Sequence, residues 1–562
     1  MPRVRRGRRR WRVPVVVWLV TGVWASLLLG ASLVWKMSYG YDEPLHVDLA
    51  YVYSRAPFTF YGPGELPPTR ADVTLETEVP GYQIDHNWPD ATADPVGPVL
   101  DRDERPTLDE AGGAGPAAVD RRNQMIQHPP LYYWLEAIVL RLPGVSGLAW
   151  DLQLWFMRLI SVVLALPLPI LCWATARRLL GVGRTDVTAT GRSPASPEAW
   201  AVLAALVPLS VPGLVRNLSS VSNDVLLVVA TSVFLYALTR VLTGDLTTRT
   251  SVVVSVSMAV ALLSKGFALV LPLVALVAYA WAVSRDRPGA GQLVRRLAWP
   301  ACVVGVGAVV GGLWWLRNLL LYGTVQINGV GAAASVTLYG PPDGGGALSR
   351  FLPSFVAQVL GRIWGGVGLP DTPIPGPVVV WGWLALTAMG LLAALVLPSG
   401  PGTRARAWIL TLPALLTMAV VAAGSLADFR TWSAYIHGAQ GRYLYLAIVP
   451  FSACVTAGWR HLLGSLGARG LARTLAVVGL ATLVTNAVVW AMIVSTWYTN
   501  GPTLSWTTMR AGLAAFLAWA PLPSGVVVAL AVVVPVAVGV AGVAALTRPM
   551  SASSGPPGTL EV

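Results

Sequence analysis

The sequence predicts an all-α polytopic membrane protein of about twelve transmembrane helices, within a range of eleven to thirteen. Three observations carry this. Hydrophobic residues make up 55% of the 562 and charged residues only 12%, about half the charged share of a soluble domain. Apolar runs of ~20 residues recur along the chain, each long enough to cross a bilayer core. The basic residues are not spread evenly: they collect in every second loop between the runs.

The first run, Val13 to Trp35, follows MPRVRRGRRRWR, with seven arginines in the first 12 residues. At 23 residues it is long for a signal peptide and is read as a retained anchor with its N-terminus in the cytoplasm. A long polar loop, 40–130, follows. Its Pro-, Gly- and acid-rich part, Asp85 to Gly113, reads as irregular. It ends in QHPPLYYWLEAIVLR, where Pro129 and Pro130 suit a helix start. That helix is too short to span before Pro143-Gly144, so it is expected to lie at the interface with Leu131, Leu135, Ile138, Val139 and Leu142 largely on one side.

The remaining spans fall near 154–175, 199–214, 225–242, 251–263, 267–283, 300–321, 377–397, 408–426, 443–459, 475–497 and 525–546. Starting inside, the loops these spans return to the cytoplasm carry Arg177 and Arg178, Arg240 and Arg249, Arg295 and Arg296, Arg404 and Arg406, Arg460 and Arg473, and finally Arg548. Both long loops, 40–130 and 322–376, then fall outside. This alternation supports both termini in the cytoplasm. The domain organisation read from it is a basic N-terminus (1–12), a transmembrane module (13–460), C-terminal helices (461–548) and a disordered tail (549–562).

The formal net charge of +13 is explained by these loops and by membrane lipids, and does not suggest a nucleic-acid partner. Cys172, Cys302 and Cys454 all lie in apolar runs, at spacings that fit neither a disulfide framework nor a metal site. They are expected to serve packing.

Charges placed where they are expensive mark the candidate site. YDEPLH, directly after the first span, puts Asp42 and Glu43 side by side at the lipid boundary. Lys265 in SKG, Arg317 in WWLRNLLLYG and Arg442 in GRYL lie at the outer ends of spans, where the positive-inside rule works against them. One such cation is ordinarily explained by snorkelling or by pairing with a carboxylate. Three cations and an acidic pair at one depth could bind a phosphate while a carboxylate acts as base. The other candidates are Arg158, Asp224, His46, His128, Tyr132 and Tyr443, as acceptor-orienting or supporting groups. Two or three scattered ligand types do not define a metal site, so no cofactor is assigned, and a divalent metal is left open.

In order, the stretches YDEPLH, QHPPLYYWL, FMRLISVVLALP, SVSNDVLL, LLSKGFALVLP, WWLRNLLLYG and GRYLYLAIVP resemble the GT-C superfamily of polytopic glycosyltransferases. The nearest branch is the one of protein O-mannosyltransferases, aminoarabinose transferases and related bacterial membrane proteins. The resemblance runs from about Gly40 to Pro450; beyond Trp459 it is only hydrophobicity. It implies a polyprenyl-phosphate sugar donor, transfer on the outer face of a bacterial plasma membrane, and a first-loop acid, here Asp42 with Glu43 beside it, as catalytic group. It leaves the sugar and the acceptor open. The rival readings are a secondary transporter, against which no duplicated halves are seen, and a lipid-linked polymer ligase or export protein of the envelope. A ligase would be expected to carry its large loop late in the chain.

Overall fold

The computed structural model describes residues 13–79, 100–181, 195–285, 289–329, 348–365, 376–397, 402–431, 438–499 and 504–531, with 533 and 537. The N-terminal arginines, residues 80–99, most of the 322–376 loop, most of the last expected span and the tail lie outside them. Regular structure among the described residues is helical, apart from one isolated bridge between Thr69 and Pro116.

The chain opens with α1 (Val15–Val34), then three shorter helices of the first loop: α2 (Glu43–Arg55), α3 (Arg70–Glu78) and α4 (Leu131–Leu140). α5 (Trp150–Ala165) and α6 (Leu168–Leu179) form one span jointed at Pro167. α7 (Pro197–Leu206) and α8 (Pro212–Leu218) meet at a 70° bend, where Pro208 and Pro212 interrupt the helical ladder. α9 (Asn223–Leu242), α10 (Thr248–Leu262), α11 (Leu271–Ser284) and α12 (Ala290–Tyr322) follow, then α13 (Leu348–Gly365), α14 (Pro377–Val396) and α15 (Thr403–Thr431). A 3-10 turn, Gly441–Ala447, leads into α16 (Ile448–Leu462), α17 (Ala468–Trp497) and α18 (Trp506–Trp519) follow, and a further described helix, Ser524–Ala531, comes after a 115° bend. Pro300, Pro353 and Pro413 sit inside helices, a placement that neighbouring helices make tolerable in a membrane.

Each run expected to span overlaps a described helix, although most of the last, 525–546, lies outside the described residues, and not all of these helices are long enough to cross a bilayer. Eight described helices are long and apolar enough to cross a bilayer, or ten if each of two bent pairs is one span. The other two of the twelve are short. α10 has 15 residues, about 22 Å against a core of about 30 Å. The run 443–459 is divided between the 3-10 turn and the 15 residues of α16. Large apolar side chains remain exposed on the flank of the bundle, as on α12 at Val306, Val309, Leu313, Leu316 and Leu320, the pattern of a surface that faces lipid. Cys172 and Cys454 are buried in the packing and Cys302 is exposed.

The described parts of the first loop, 40–79 and 100–130, are tied down by specific contacts, and residues 85–99 of the stretch Asp85–Gly113, expected to be irregular, lie outside the described residues. Asp48 of α2 accepts hydrogen bonds from the Thr69 backbone N–H (3.1 Å), the Thr69 hydroxyl (2.6 Å) and the Asn123 amide (2.8 Å), which ties the loop's two halves together. Residues 100–113 are held by two arginines. Arg102 donates to the carbonyls of Leu517 and Ala520, and Arg105 to those of Ala518 and Trp519, while Arg105 also pairs with buried Asp151. Four carbonyls at the C-terminal end of α18 thus meet guanidinium groups, which suits the negative end of a helix. Of the expected stripe, Ile138 and, just past α4, Leu142 are exposed, Leu131 and Leu135 are half-buried against the core, and Val139 is buried with Tyr132, Tyr133 and Glu136 on the inner face.

A second difference lies in the loop expected at 322–376. Its described part includes α13, 18 residues long, packed against α8 and the Gly441–Ala447 turn.

Candidate active site

Four elements far apart in sequence bring their ends together beside the end of α1. They are the turn before α2, the start of α9, the α10–α11 junction and the start of the Gly441–Ala447 turn. Local contacts fix the register of each. Ser222 caps α9 by accepting from the Asp224 N–H at 3.3 Å. Asn223 donates to the Ser264 carbonyl at 3.1 Å, which sets Asp224 beside Lys265. A side chain at Gly441 would collide with the backbone of Ile363, so glycine lets α13 approach closely enough to seat Arg442. Gly40 is equally confined, between Ser220 and Glu43.

The result is a buried chain of alternating charge. Arg442 Nη2 donates to Asp42 Oδ2 at 2.7 Å, Arg442 Nε lies 3.8 Å from Asp224 Oδ2, and Lys265 Nζ donates to Asp224 Oδ1 at 2.7 Å. The side chains of Arg442, Asp224 and Lys265 are 5–9% exposed, and that of Asp42 is 19% exposed. Asp42 is therefore the member with most access.

Glu43 lies next to Asp42 and has different surroundings. Asp42 adopts a left-handed backbone, φ 57°, uncommon outside glycine, and Glu43 begins the helix with its side chain fully buried. Arg158 grips both its oxygens, at 2.8 and 2.6 Å, and they also accept the N–H groups of Val221 (2.8 Å) and Gly40 (2.9 Å). Arg158 in turn donates to the carbonyls of Ser32, Trp35 and Lys36, each at 2.8 Å. It closes the C-terminal end of α1 and holds Glu43 in the same grip.

Two imidazoles face the charged chain. His46 Nδ1 and the Tyr133 hydroxyl are 2.9 Å apart. Burial, only partly countered by the Asp42 charge, pushes His46 down to about 3. His128 is pushed well below the usual histidine range, first by burial and then by Lys265. Both rings are neutral at physiological pH, so each offers one donor and one acceptor nitrogen. Tyr132 directs its hydroxyl to Ser161 (3.1 Å) and receives the Ser222 N–H (2.9 Å), supporting the start of α9. The Tyr443 ring lies 5.6 Å from Lys265 Nζ and 5.7 Å from Arg442 Cζ.

Arg317 has other surroundings. Its guanidinium sits 5.1–5.6 Å from the rings of Trp314, Phe60 and Tyr322 and donates to Asn318 at 3.1 Å. Of the three expected phosphate cations, Lys265 and Arg442 join Asp42 in one ion-pair chain, and Arg317 stands among aromatics at the end of α12. No group of three or more His, Cys, Asp or Glu among the described residues is placed to hold a metal ion.

Sequence reasoning missed two charges. Arg216, fully buried in α8, donates to the Tyr39 carbonyl at 2.6 Å. Glu136, fully buried in α4, is pushed well above the usual carboxylate range by burial, with the Glu43 charge adding to the rise. Both were visible as single charges in apolar segments, VPGLVRNL and LYYWLEAIVL.

The described fold is that of a multi-pass helical membrane protein with a buried charged site at one end of the bundle. No family model and no curated protein sequence matches the chain. Solved structures do show similarity. ArnT from Cupriavidus metallidurans bound to undecaprenyl phosphate is 15% identical, with a TM-score of 0.44, over 94% of this chain and 74% of that one. The apo state of the same protein gives 16% identity and a TM-score of 0.32, over 80% and 78%. The Archaeoglobus fulgidus oligosaccharyltransferase, in complex with zinc and sulfate, is 14% identical with a TM-score of 0.39, over 86% of this chain and 54% of that one.

Proposed function

We propose that this protein is a membrane glycosyltransferase that moves a sugar from a polyprenyl-phosphate donor to an acceptor hydroxyl on the extracytoplasmic face. The observation that carries the reading is the buried chain Asp42–Arg442–Asp224–Lys265, with its one partly exposed carboxylate at an end. Burying four charges is expensive unless each has a partner and a use. Two cations beside an accessible carboxylate suit a reaction in which a phosphate leaves while a hydroxyl loses its proton.

In this mechanism the acceptor oxygen attacks the anomeric carbon as Asp42 takes the hydroxyl proton. The bond from that carbon to the phosphate oxygen breaks, and its electron pair leaves with the phosphate. Attack opposite the leaving group inverts the centre, and one carboxylate suffices. Lys265 and Arg442 stabilise the charge that develops on phosphate, and Asp224 holds the two cations together. Arg317, at the end of α12, is a third phosphate contact on the donor's route. His46 and His128 accept or donate to hydroxyls of sugar or acceptor, and the Tyr443 ring packs against the sugar. Glu43, Arg158 and Tyr132 hold the turn and the start of α9. The basic end of the bundle is cytoplasmic, as the basic-loop alternation supports, in the plasma membrane of a bacterium.

The test is incubation of purified protein with a panel of polyprenyl-phosphate sugars, following release of lipid phosphate. Release that depends on Asp42 supports the reading. No release with any donor, together with substrate flux in reconstituted vesicles, would replace it with the transporter reading. Labelling of a cysteine at Asp101 only from the cytoplasm would overturn the orientation.

A further inference from the structure

The ring of Tyr41 lies between the catalytic turn and a charge that the mechanism does not use. Its centroid is 4.3 Å from the Arg216 guanidinium carbon and 4.5 Å from that of Arg442. Both distances are within the range of an effective cation–π contact. Arg216 is immobilised: its Nη2 donates to the Tyr39 carbonyl at 2.6 Å, and the ring of Trp35 lies 4.8 Å and that of Trp497 5.4 Å from its guanidinium carbon. Tyr41 is half-buried and directly precedes Asp42. Two like charges this close to one ring repel each other in a water-poor site, and the ring's negative face offsets that for both.

We infer that Arg216 and Tyr41 are positioning residues for Arg442. The Arg216–Tyr41–Arg442 stack sets the orientation in which Arg442 meets Asp42 and a donor phosphate. This rests on the proposed function for the identity of the phosphate, but not for the stack itself. Arg442 enters the site from a 3-10 turn, a less regular support than a full helix. Its Asp42 contact uses one edge of the guanidinium. The Tyr41 ring orients the plane, which decides whether the remaining N–H groups point at a phosphate. The ring meets both guanidinium groups, and the Tyr41 side chain also hydrogen-bonds Arg216.

The test uses the full-length protein in detergent and undecaprenyl phosphate as probe. Tyr41→Phe keeps the ring but removes the hydrogen bond to Arg216, and should weaken probe binding less than Tyr41→Leu does. Tyr41→Leu should weaken binding about 10-fold. Combined with Arg442→Ala, Tyr41→Leu should cost nothing further, because the guanidinium it orients is gone. Arg216→Lys should fall between wild type and Tyr41→Leu; should Arg216 variants fail to fold, the Tyr41 series stands alone. Losses that add in the double variant, or a Tyr41→Leu protein equal to wild type, would overturn the inference. A role only in packing would make Tyr41→Leu equally harmful with or without Arg442. If wild type binds no polyprenyl phosphate, the functional reading fails by itself. The same double-variant cycle, read by thermal unfolding midpoints, then decides the stack: coupling between Tyr41 and Arg442 keeps it, and strict additivity removes it.

Discussion

Asp42 and Glu43 are neighbours in sequence and opposites in surroundings. Glu43 is fully buried, gripped by Arg158 and two backbone N–H groups, with both oxygens engaged. Asp42 is 19% exposed and is held by Arg442, whose other carboxylate neighbour is Asp224. The difference separates a carboxylate whose lone pairs are committed to holding the fold from one that has room to exchange a proton. Adjacent acids in a motif therefore do not share a role by default; what surrounds each one decides.

Removing the Asp42 charge is expected to have the largest effect. Asp42→Asn should lower transfer by ~10²–10⁴-fold while leaving the unfolding midpoint near that of wild type. If both Asp42→Asn and Glu43→Gln retain full transfer, neither carboxylate is a base and the contrast has no catalytic meaning. Arg158→Met should act on the other side of the comparison. It strands Glu43 and three helix-end carbonyls, and breaking such a buried pair costs about 3–5 kcal/mol. The expected readout is a large drop in denaturation midpoint or loss of folded protein; a stable Arg158→Met variant with impaired turnover would move Arg158 into the chemistry. Arg442→Ala should weaken polyprenyl-phosphate binding and slow turnover, each by about 10-fold or more. A change confined to turnover would show that Arg442 meets phosphate only in the transition state.

The smallest effect concerns pH. Burial lowers His46 from an ordinary value of 6.5 to about 3, so between those values the unfolded chain binds a proton that the folded protein refuses. Stability should then fall as pH drops through that window. His46→Gln should flatten that acid slope at unchanged stability near pH 7.5, measured by thermal unfolding across a pH series. An unchanged slope would mean that His46 protonates in the folded state.

The spans were legible because an apolar run of ~20 residues has few other uses. Their breaks were less so. α7 and α8 read as one span, although Pro208 and Pro212 bend it by 70°. α13 falls in a stretch that reads as loop, because its apolar face, Phe351, Phe355 and Val359, makes sense only against distant partners: α8, the Arg442 turn, and Val421 and Phe429 of α15. Asp42, Asp224, Lys265 and Arg442 could be found because a charge at the outer end of an apolar segment demands a reason. Their pairing could not: Arg442 and Asp42 are 400 residues apart, and nothing local tells either which partner it has. The separation of Asp42 from Glu43 depends on a left-handed backbone at one residue and on Arg158, more than a hundred residues away. Arg216 lies two residues beyond the span expected at 199–214, so its single charge in VPGLVRNL is not read as one buried in the bundle.

The grip of Arg102 and Arg105 on the end of α18 also sets an order in time. Arg105 and Ala518 are 413 residues apart. At ~5–20 residues per second, a ribosome needs roughly 20–80 s to cover that distance. For most of this interval the two arginines and Asp151 have been made while the carbonyls that complete their contacts have not. The first loop, which begins with the acidic pair, reaches its final anchorage only when synthesis is nearly over. The order of synthesis thus leaves the loop's last tie unmade until α18 has emerged.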